Sequence, residues 1–420
     1  MAFYSGSKTN QNLVFGDKGE IGNSSFVYSE AATVASTENK ITSSDGTSTD
    51  LFGTSVAVGF GRIVVGVPQD DDNGTDSGSA YIYNLDGTNE TKITASDGAA
   101  GDYFGRSVAV GSGRIVVGAY GDGDRGFGTG SAYIYDLDGN QLAKITASDG
   151  AAYDNFGISV AVGSGRIVVG AFGDDYEPNT EQGSAYIFDL DGTQLAKITA
   201  SDGAGGDNFG YSVAVGCGRI VVGAYGDADN GSNSGAAYIF DLDGNQLAKI
   251  TASDGAAFDQ FGNSVAVGNG RIVVGAPYDE VVDIGSAYIF DLDGTQLAKI
   301  TASDAGGYDQ FGTSVAVGSG RIVVGALLDD DNGINSGSAY IFDLDGNQLA
   351  KITASDNAAN DNFGRVVAVG SGRIVVGAEG DDDNGSDSGS AYIYNTNEYY
   401  DDYVEKIADN RIGQYTRLTG

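Results

Sequence analysis

Hydrophobic and polar positions along this chain follow a period of two rather than 3.6, in short bursts separated by glycine. Ser107-Val108-Ala109-Val110 alternates, Gly111-Ser112-Gly113 turns the chain, and Arg114 to Ala119 carries an Ile-Val-Val strand. A polar loop from Tyr120 to Thr129 precedes a strand over Ser131 to Tyr135. Asp138-Gly139 marks a hairpin, because Asp and Gly accept the positive φ of a tight turn. Gln141 to Thr146 reads as a fourth strand, and the loop Ala147 to Phe156 leads to the next burst. The strands are rich in Val, Ile, Tyr and Phe, residues that suit a pleated, partly buried surface. No helical period intervenes.

The same text recurs seven times. The Lys-Ile-Thr triplet begins at Lys40, Lys92, Lys144, Lys197, Lys249, Lys299 and Lys351. The Gly-Arg-Ile-Val-Val-Gly run places its arginine at Arg62, Arg114, Arg166, Arg219, Arg271, Arg321 and Arg373. Both series step by 52, 52, 53, 52, 50 and 52 residues. Four strands in each period of about 50 residues predict an all-β, seven-bladed β-propeller with four-stranded blades. The array opens with an isolated strand, Asn39 to Ser43, and its last copy stops after a third strand, Ala391 to Tyr394. The opening strand is therefore expected to complete the last blade and close the ring, which removes exposed sheet edges. Residues 1–37 form a non-repeat arm, 38–394 the propeller and 395–420 a tail. Spacing at Tyr400, Tyr403, Val404, Ile407 and Ala408 predicts one brief helix in the tail.

Phe104-Gly105-Arg106-Ser107-Val108-Ala109-Val110 followed by Ile115-Val116-Val117-Gly118-Ala119 resembles the FG-GAP repeat of integrin α-subunit propellers and many bacterial surface proteins. The fifth copy keeps Gly275-Ala276-Pro277, and the resemblance extends over residues 38–394. It implies a propeller that binds or scaffolds. Repeats of the integrin type usually carry an Asp-x-Asp-x-Asp-Gly calcium loop between their first two strands. Here that connection is only Gly-Ser-Gly, as at Gly111 to Gly113, a departure from the family's usual calcium loop.

Composition narrows the function. Acidic residues number 58 against 22 basic ones, a net charge of -36, which excludes the basic footprint that nucleic acid requires. High solubility or cation binding fits that balance. No apolar run approaches the roughly 20 residues that span a bilayer, so membrane insertion is not expected. Residues 1–37 show no basic start with an apolar stretch of the secretory kind. One cysteine, Cys217, leaves no partner for an intrachain disulfide and occupies a slot held elsewhere by serine.

The blade connections sort into two faces. On one, each loop between the second and third strands begins with an aspartate, and each interblade loop carries two more, five apart, such as Asp97 and Asp102. Five of the first kind add a second carboxylate, giving Asp70 with Asp72, Asp122 with Asp124, Asp227 with Asp229, Asp329 with Asp331 and Asp381 with Asp383. Two roles fit them: capping turns by accepting backbone N–H bonds, or holding a hard cation such as calcium through clustered oxygens. The aspartates of Asp-x-Phe-Gly, such as Asp102 and Asp154, look most like caps. On the opposite face the seven arginines lie near the hairpin aspartates Asp86, Asp138, Asp191, Asp243, Asp293 and Asp345, which favours structural ion pairs over an anion site.

The loops between the second and third strands vary most among the copies. Tyr120, Phe172, Tyr176, Tyr225, Tyr278, Leu327 and Leu328 are therefore candidates for contact in exposed loops. Histidine is absent, and near-identical blades supply no distinguished pair of carboxylates for glycoside hydrolysis. The chain reads as a non-enzymatic structural or binding propeller. Its expected setting is a bacteriophage particle, with other particle proteins or a host-surface receptor as partners. A calcium-stabilised cell-surface or secreted adhesin and a cytoplasmic scaffold are the alternatives.

Overall fold

A computed structural model describes residues 38–175, 181–279 and 282–396. The non-repeat arm, Tyr176 and the expected C-terminal helix lie outside those residues. Within them every regular element is a strand, and the strands form seven antiparallel sheets of four. Blade 2 is typical, with strands Ser107–Gly111, Arg114–Ala119, Ser131–Tyr135 and Gln141–Ile145 in sequential order. The seventh sheet is composite: Glu38–Ile41 pairs with Ser390–Asn395, which pairs with Arg373–Ala378 and then Val366–Gly370. Its closing register sets Glu38 opposite Tyr394 and Ile41 opposite Ala391. First strands of successive blades touch one another around an axis, and Ser55–Gly59 meets Val366–Gly370 to complete the circle.

The first two strands of blade 2 are joined through Ser112 and Gly113, at φ 49° and 74°. Positive φ at both central residues is the turn whose twist matches that of its flanking strands. The connection is too short to form a cation loop of the integrin kind. Between the third and fourth strands the register slips by one residue at Ile134/Tyr135, and Gly139 turns at φ 88°.

Burial explains why the second strand is apolar at consecutive positions. Ile115 and Val117 face blade 1 and pack with Ile82, Ile93 and Val64. Val116 faces blade 3 and packs with Phe156, Val169 and Tyr186. A strand sandwiched between two sheets has no solvent face, so its alternation of direction is not an alternation of polarity. The core is thus divided into clusters that lie between blades rather than within them.

The Phe-Gly pair joins those clusters. Phe104 is fully buried and meets Tyr133 and Tyr135 edge-on, with ring centroids 5.4 and 6.1 Å apart. Gly105 follows at φ 94°, where a Cβ would stand 2.2 Å from the carbonyl oxygen of Ser79 in the preceding blade. Its own carbonyl accepts a bond from Ser55 Oγ of that blade at 2.7 Å. The same latch recurs from Ser107, Ser159, Ser212, Ser264 and Ser314 to the glycine of the next blade, at 2.8–2.9 Å. In the last blade Val366 takes the serine's place.

Gly105→Ala is expected to destabilise the propeller by more than about 2 kcal/mol, through both left-handed strain and overlap with the Ser79 carbonyl. Gly123→Ala, in an open loop where a Cβ would meet only the Gly126 carbonyl at 3.8 Å, should stay within about 0.5 kcal/mol. Denaturant unfolding of the two variants beside the parent measures the difference.

Candidate functional site: lysine cages on the acidic face

Each acidic loop cluster surrounds a lysine. In blade 2 the fourth strand places Lys144 directly across from Tyr133 of the third. The Lys144 Nζ lies 5.3 Å from the Tyr133 ring centroid, and 2.7 Å from a carboxylate oxygen of each of Asp97, Asp122 and Asp124. Tyr133 Oη donates to Asp97 and Asp122 at 2.9 Å. Asp122 is 3% exposed, and its second oxygen accepts the backbone N–H of Asp124 at 3.0 Å. The turn capping read from the sequence therefore falls on a carboxylate that also holds the chain's own ammonium.

The arrangement repeats around the ring. Lys92 meets Asp45, Asp70 and Asp72, and Lys249 meets Asp202, Asp227 and Asp229, at 2.6–2.8 Å. Lys351 meets Asp304, Asp329 and Asp331 at 2.5–2.9 Å. Lys197 pairs with Asp149 and Asp174 at 2.7 Å, and Lys299 with Asp254 and Asp279 at 2.8 Å. The seventh cage is built across the ring closure: Lys40, from the closing strand, bonds Asp356, Asp381 and Asp383 at 2.5–2.8 Å. Every lysine between residues 38 and 396 is one of these seven.

Asp356, Asp381 and Asp383 also form the one carboxylate trio among the described residues whose oxygens are grouped closely enough to hold a metal ion. The Lys40 ammonium already lies among them. A calcium ion at any of the three-carboxylate cages would compete for oxygens that an ammonium already bonds.

Charge is tuned accordingly. Burial works against the Lys144 ammonium, but the hydrogen bonds it donates to Asp122, Asp124 and Asp97 outweigh it and raise its pKa. Burial would raise Asp97 and Asp122, yet Lys144 and Tyr133 hold both below the ordinary carboxylate range. The capping aspartates behave in the opposite way. Asp102 Oδ2 accepts the Ala99 N–H at 2.7 Å, but burial, with the nearby Asp122, pushes its pKa up to about 6. Asp154 and Asp361 are raised to about 6 for the same reason.

On the other face the arginines act as staples between blades. Arg62 Nε donates to the Leu137 carbonyl at 2.9 Å, and its guanidinium stands 3.2 Å from Asp138. Arg114, Arg166, Arg219 and Arg271 repeat this toward Leu190, Leu242, Leu292 and Leu344. Their paired aspartates lie 3.3–3.7 Å away. Arg373 donates to Leu85, and Arg321 to the adjacent Gly320 carbonyl. The aspartates are largely exposed, so the charge pairs contribute little and the carbonyl bonds carry the staple.

Of the contact candidates, Tyr120, Phe172, Tyr225, Tyr278 and Leu328 are half-buried. Leu327 was expected in an exposed loop and is instead buried, because it directly continues the buried end of the strand Arg321–Ala326. Tyr120 stacks on Tyr103 at 5.2 Å, and Tyr211 bridges Phe172 and Tyr225 at 5.9 and 4.6 Å. Sequence reasoning missed the lysines as members of the acidic face. The signal was their strict phase with the aspartates in a chain otherwise poor in base.

Seven four-stranded blades, closed by a strand from the start of the array, define a seven-bladed β-propeller. The chain belongs to the FG-GAP repeat family, whose repeat matches residues 36–83, 88–135, 140–188, 193–240, 245–290, 295–342 and 347–394. Each matched stretch begins with one blade's outer strand and continues through the next blade's first three, the same stagger that leaves Glu38–Ile41 to complete the last sheet. No curated protein matches the chain significantly.

Lys249→Met leaves Asp227, 2% exposed, without its cation, and is expected to cost about 2–4 kcal/mol in unfolding free energy. Calcium at millimolar concentration should raise the melting temperature of this variant, while neither calcium nor a chelator moves that of the parent. The pH profile is a second check. Asp102, Asp154 and Asp361 have folded pKa values near 6 against an ordinary 3.8, so each binds its proton more readily when folded, and stability rises as pH falls from 7 toward 5. Asp97 and Asp122 are depressed, so their contribution is present above 3.8 and is lost on further acidification. The lysine contribution is full below 10.5 and is lost as pH rises beyond it. Melting temperature against pH should therefore peak near pH 5 and fall on both sides.

Proposed function

We propose that this propeller is a non-enzymatic binding and structural module that serves as a component of a bacteriophage particle, in assembly or in attachment to the host surface. The observation that carries the binding role is the contrast within the acidic face. Its cages are nearly uniform from blade to blade, while the loop residues beside them differ. A rigid ring with one variable surface is suited to recognition. The FG-GAP propeller is typically a non-catalytic fold, and the repeated carboxylates provide seven similar environments rather than one distinguished acid and base.

The particle setting is supported by the acidic face being held by the chain's own ammonium groups, which frees its stability from the cation content of the surroundings. Sequence outside the matched repeats, 1–35 and 395–420, offers segments for assembly contacts. The calcium-stabilised adhesin is the weaker reading because the carboxylates it would use are already spent on lysine. A cytoplasmic scaffold draws on no particular feature of the site.

Native isolation of the chain from its source, with mass spectrometry of what accompanies it, tests the setting. Capsid or tail proteins in fixed ratio are the expected result. Purified particles that lack the chain would overturn the particle role and leave the binding role standing.

A further inference from the structure

The seven first strands enclose an axial cavity of about 290 Å³, lined at its mouth by the residues that begin each of them. Those strands repeat nearly the same Ser-Val-Ala-Val text, but the residue just before it is different in almost every blade. Arg106, Ile158 and Tyr211 stand there in blades 2 to 4, and Asn263, Thr313, Arg365 and Thr54 in the remaining four. A ring that is close to sevenfold in its walls is thus asymmetric at its mouth.

The asymmetry has a chemical sense. Blades 2 to 4 gather the aromatic rings, with Tyr103 stacked on Tyr120 beside Arg106, and Tyr211 set against Phe172 and Tyr225. The opposite arc is polar, and there Glu379 holds Arg365 Nε at 2.8 Å and accepts from Thr54 Oγ1 at 3.0 Å. Arg106 makes no ion pair among the described residues. Tyr103 adds an independent sign: it sits at φ 54°, in a left-handed position that five other blades fill with Asn or Gln. Tyrosine accepts that backbone less readily than asparagine, and strain of this kind gathers at binding sites.

We propose that this mouth is a binding site for an uncharged pyranose sugar. A pyranose ring has an apolar C–H face that packs on tyrosine and an edge of hydroxyls that meets amide, hydroxyl and guanidinium groups. Of the aromatic rings Tyr211 lines the cavity itself, and Asn263, Thr313 and Thr54 line the opposite arc with amide and hydroxyl groups; the volume is near the lower end of ligand-pocket size at about 300 Å³. An anionic ligand would approach against a net charge of -36, and a cation would meet Arg106 and Arg365 at the entrance. The proposal rests on the binding role given above and not on the particle setting.

The test uses the purified full chain with maltose, cellobiose, lactose and N,N′-diacetylchitobiose, followed by saturation-transfer NMR and by tyrosine fluorescence. The chain has no tryptophan, so its fluorescence reports tyrosine alone. Binding of at least one sugar is expected, weakened about tenfold or more by Tyr211→Ala and by Arg106→Ala. Phe60→Ala, at an exposed turn between the first two strands of blade 1, should leave it unchanged. Absence of transfer from all four sugars overturns the proposal. So does binding that both mouth variants retain in full while keeping the parent's melting temperature. Particle composition does not enter either result, so failure here is distinct from failure of the particle role.

Discussion

The propeller depends on backbone meeting backbone between blades. The carbonyl of Gly105 comes so near to Gly66 of the preceding blade that a Cβ there would stand 1.9 Å from it, and Gly105 itself faces the Ser79 carbonyl. Contact this close sets the spacing between sheets, and the spacing then decides what can fill the gap. Phe104, Tyr133 and the paired Ile and Val side chains of adjoining blades fill it with almost no exposure. Close packing of this kind tolerates little change of volume, which accounts for the constancy of the wall from copy to copy. Serine at the start of the first strand then satisfies the carbonyl that such proximity would otherwise bury without a partner.

Electrostatics is organised as a second layer over this frame. A chain with so large an acidic excess does not leave its buried carboxylates to repel one another. Asp70, Asp122, Asp227, Asp329 and Asp381 each hold a backbone N–H, and in blade 2 the phenol and ammonium complete the same set. An ion pair buried this far contributes less than its contact distances suggest, because both ions give up water. What it provides is position: the loop between the second and third strands is pinned to the fourth strand and to the preceding interblade loop. Tyr120, Phe172 and Tyr225 belong to loops pinned in this way.

Much of this was legible in the sequence, and the exceptions have physical causes. Period-two alternation, Asp-Gly turns and an in-phase repeat determine strands, blades and ring closure, since all are local or arithmetic properties. The opening strand was expected at Asn39 to Ser43 and forms at Glu38–Ile41, a shift at an element end where hydrogen bonding fades. The cages were half legible. Aspartates in loops announce capping or cations, but they do not announce the lysine they surround, which the sequence places in a strand 20 residues beyond Asp124 and 47 beyond Asp97. Only the cross-strand pairing of Lys144 with Tyr133 brings it there. The buried Leu327 was missed because a loop's first residue can still belong to the strand it leaves. The convergence of Thr54, Arg106 and Tyr211 on one cavity follows from ring closure and has no local signature.

The closing strand has a consequence for how the molecule is made. Glu38–Ile41 leaves the ribosome more than 300 residues ahead of Ser390–Asn395, the strand it must pair with. Throughout synthesis the nascent chain carries an unpaired outer strand at one end and an unfinished blade at the other. Each presents a free edge, and two such edges on neighbouring polysomes are complementary. The acidic excess, by making nascent chains repel one another, favours pairing within a chain over pairing between chains until Lys40 reaches its three aspartates and the circle shuts.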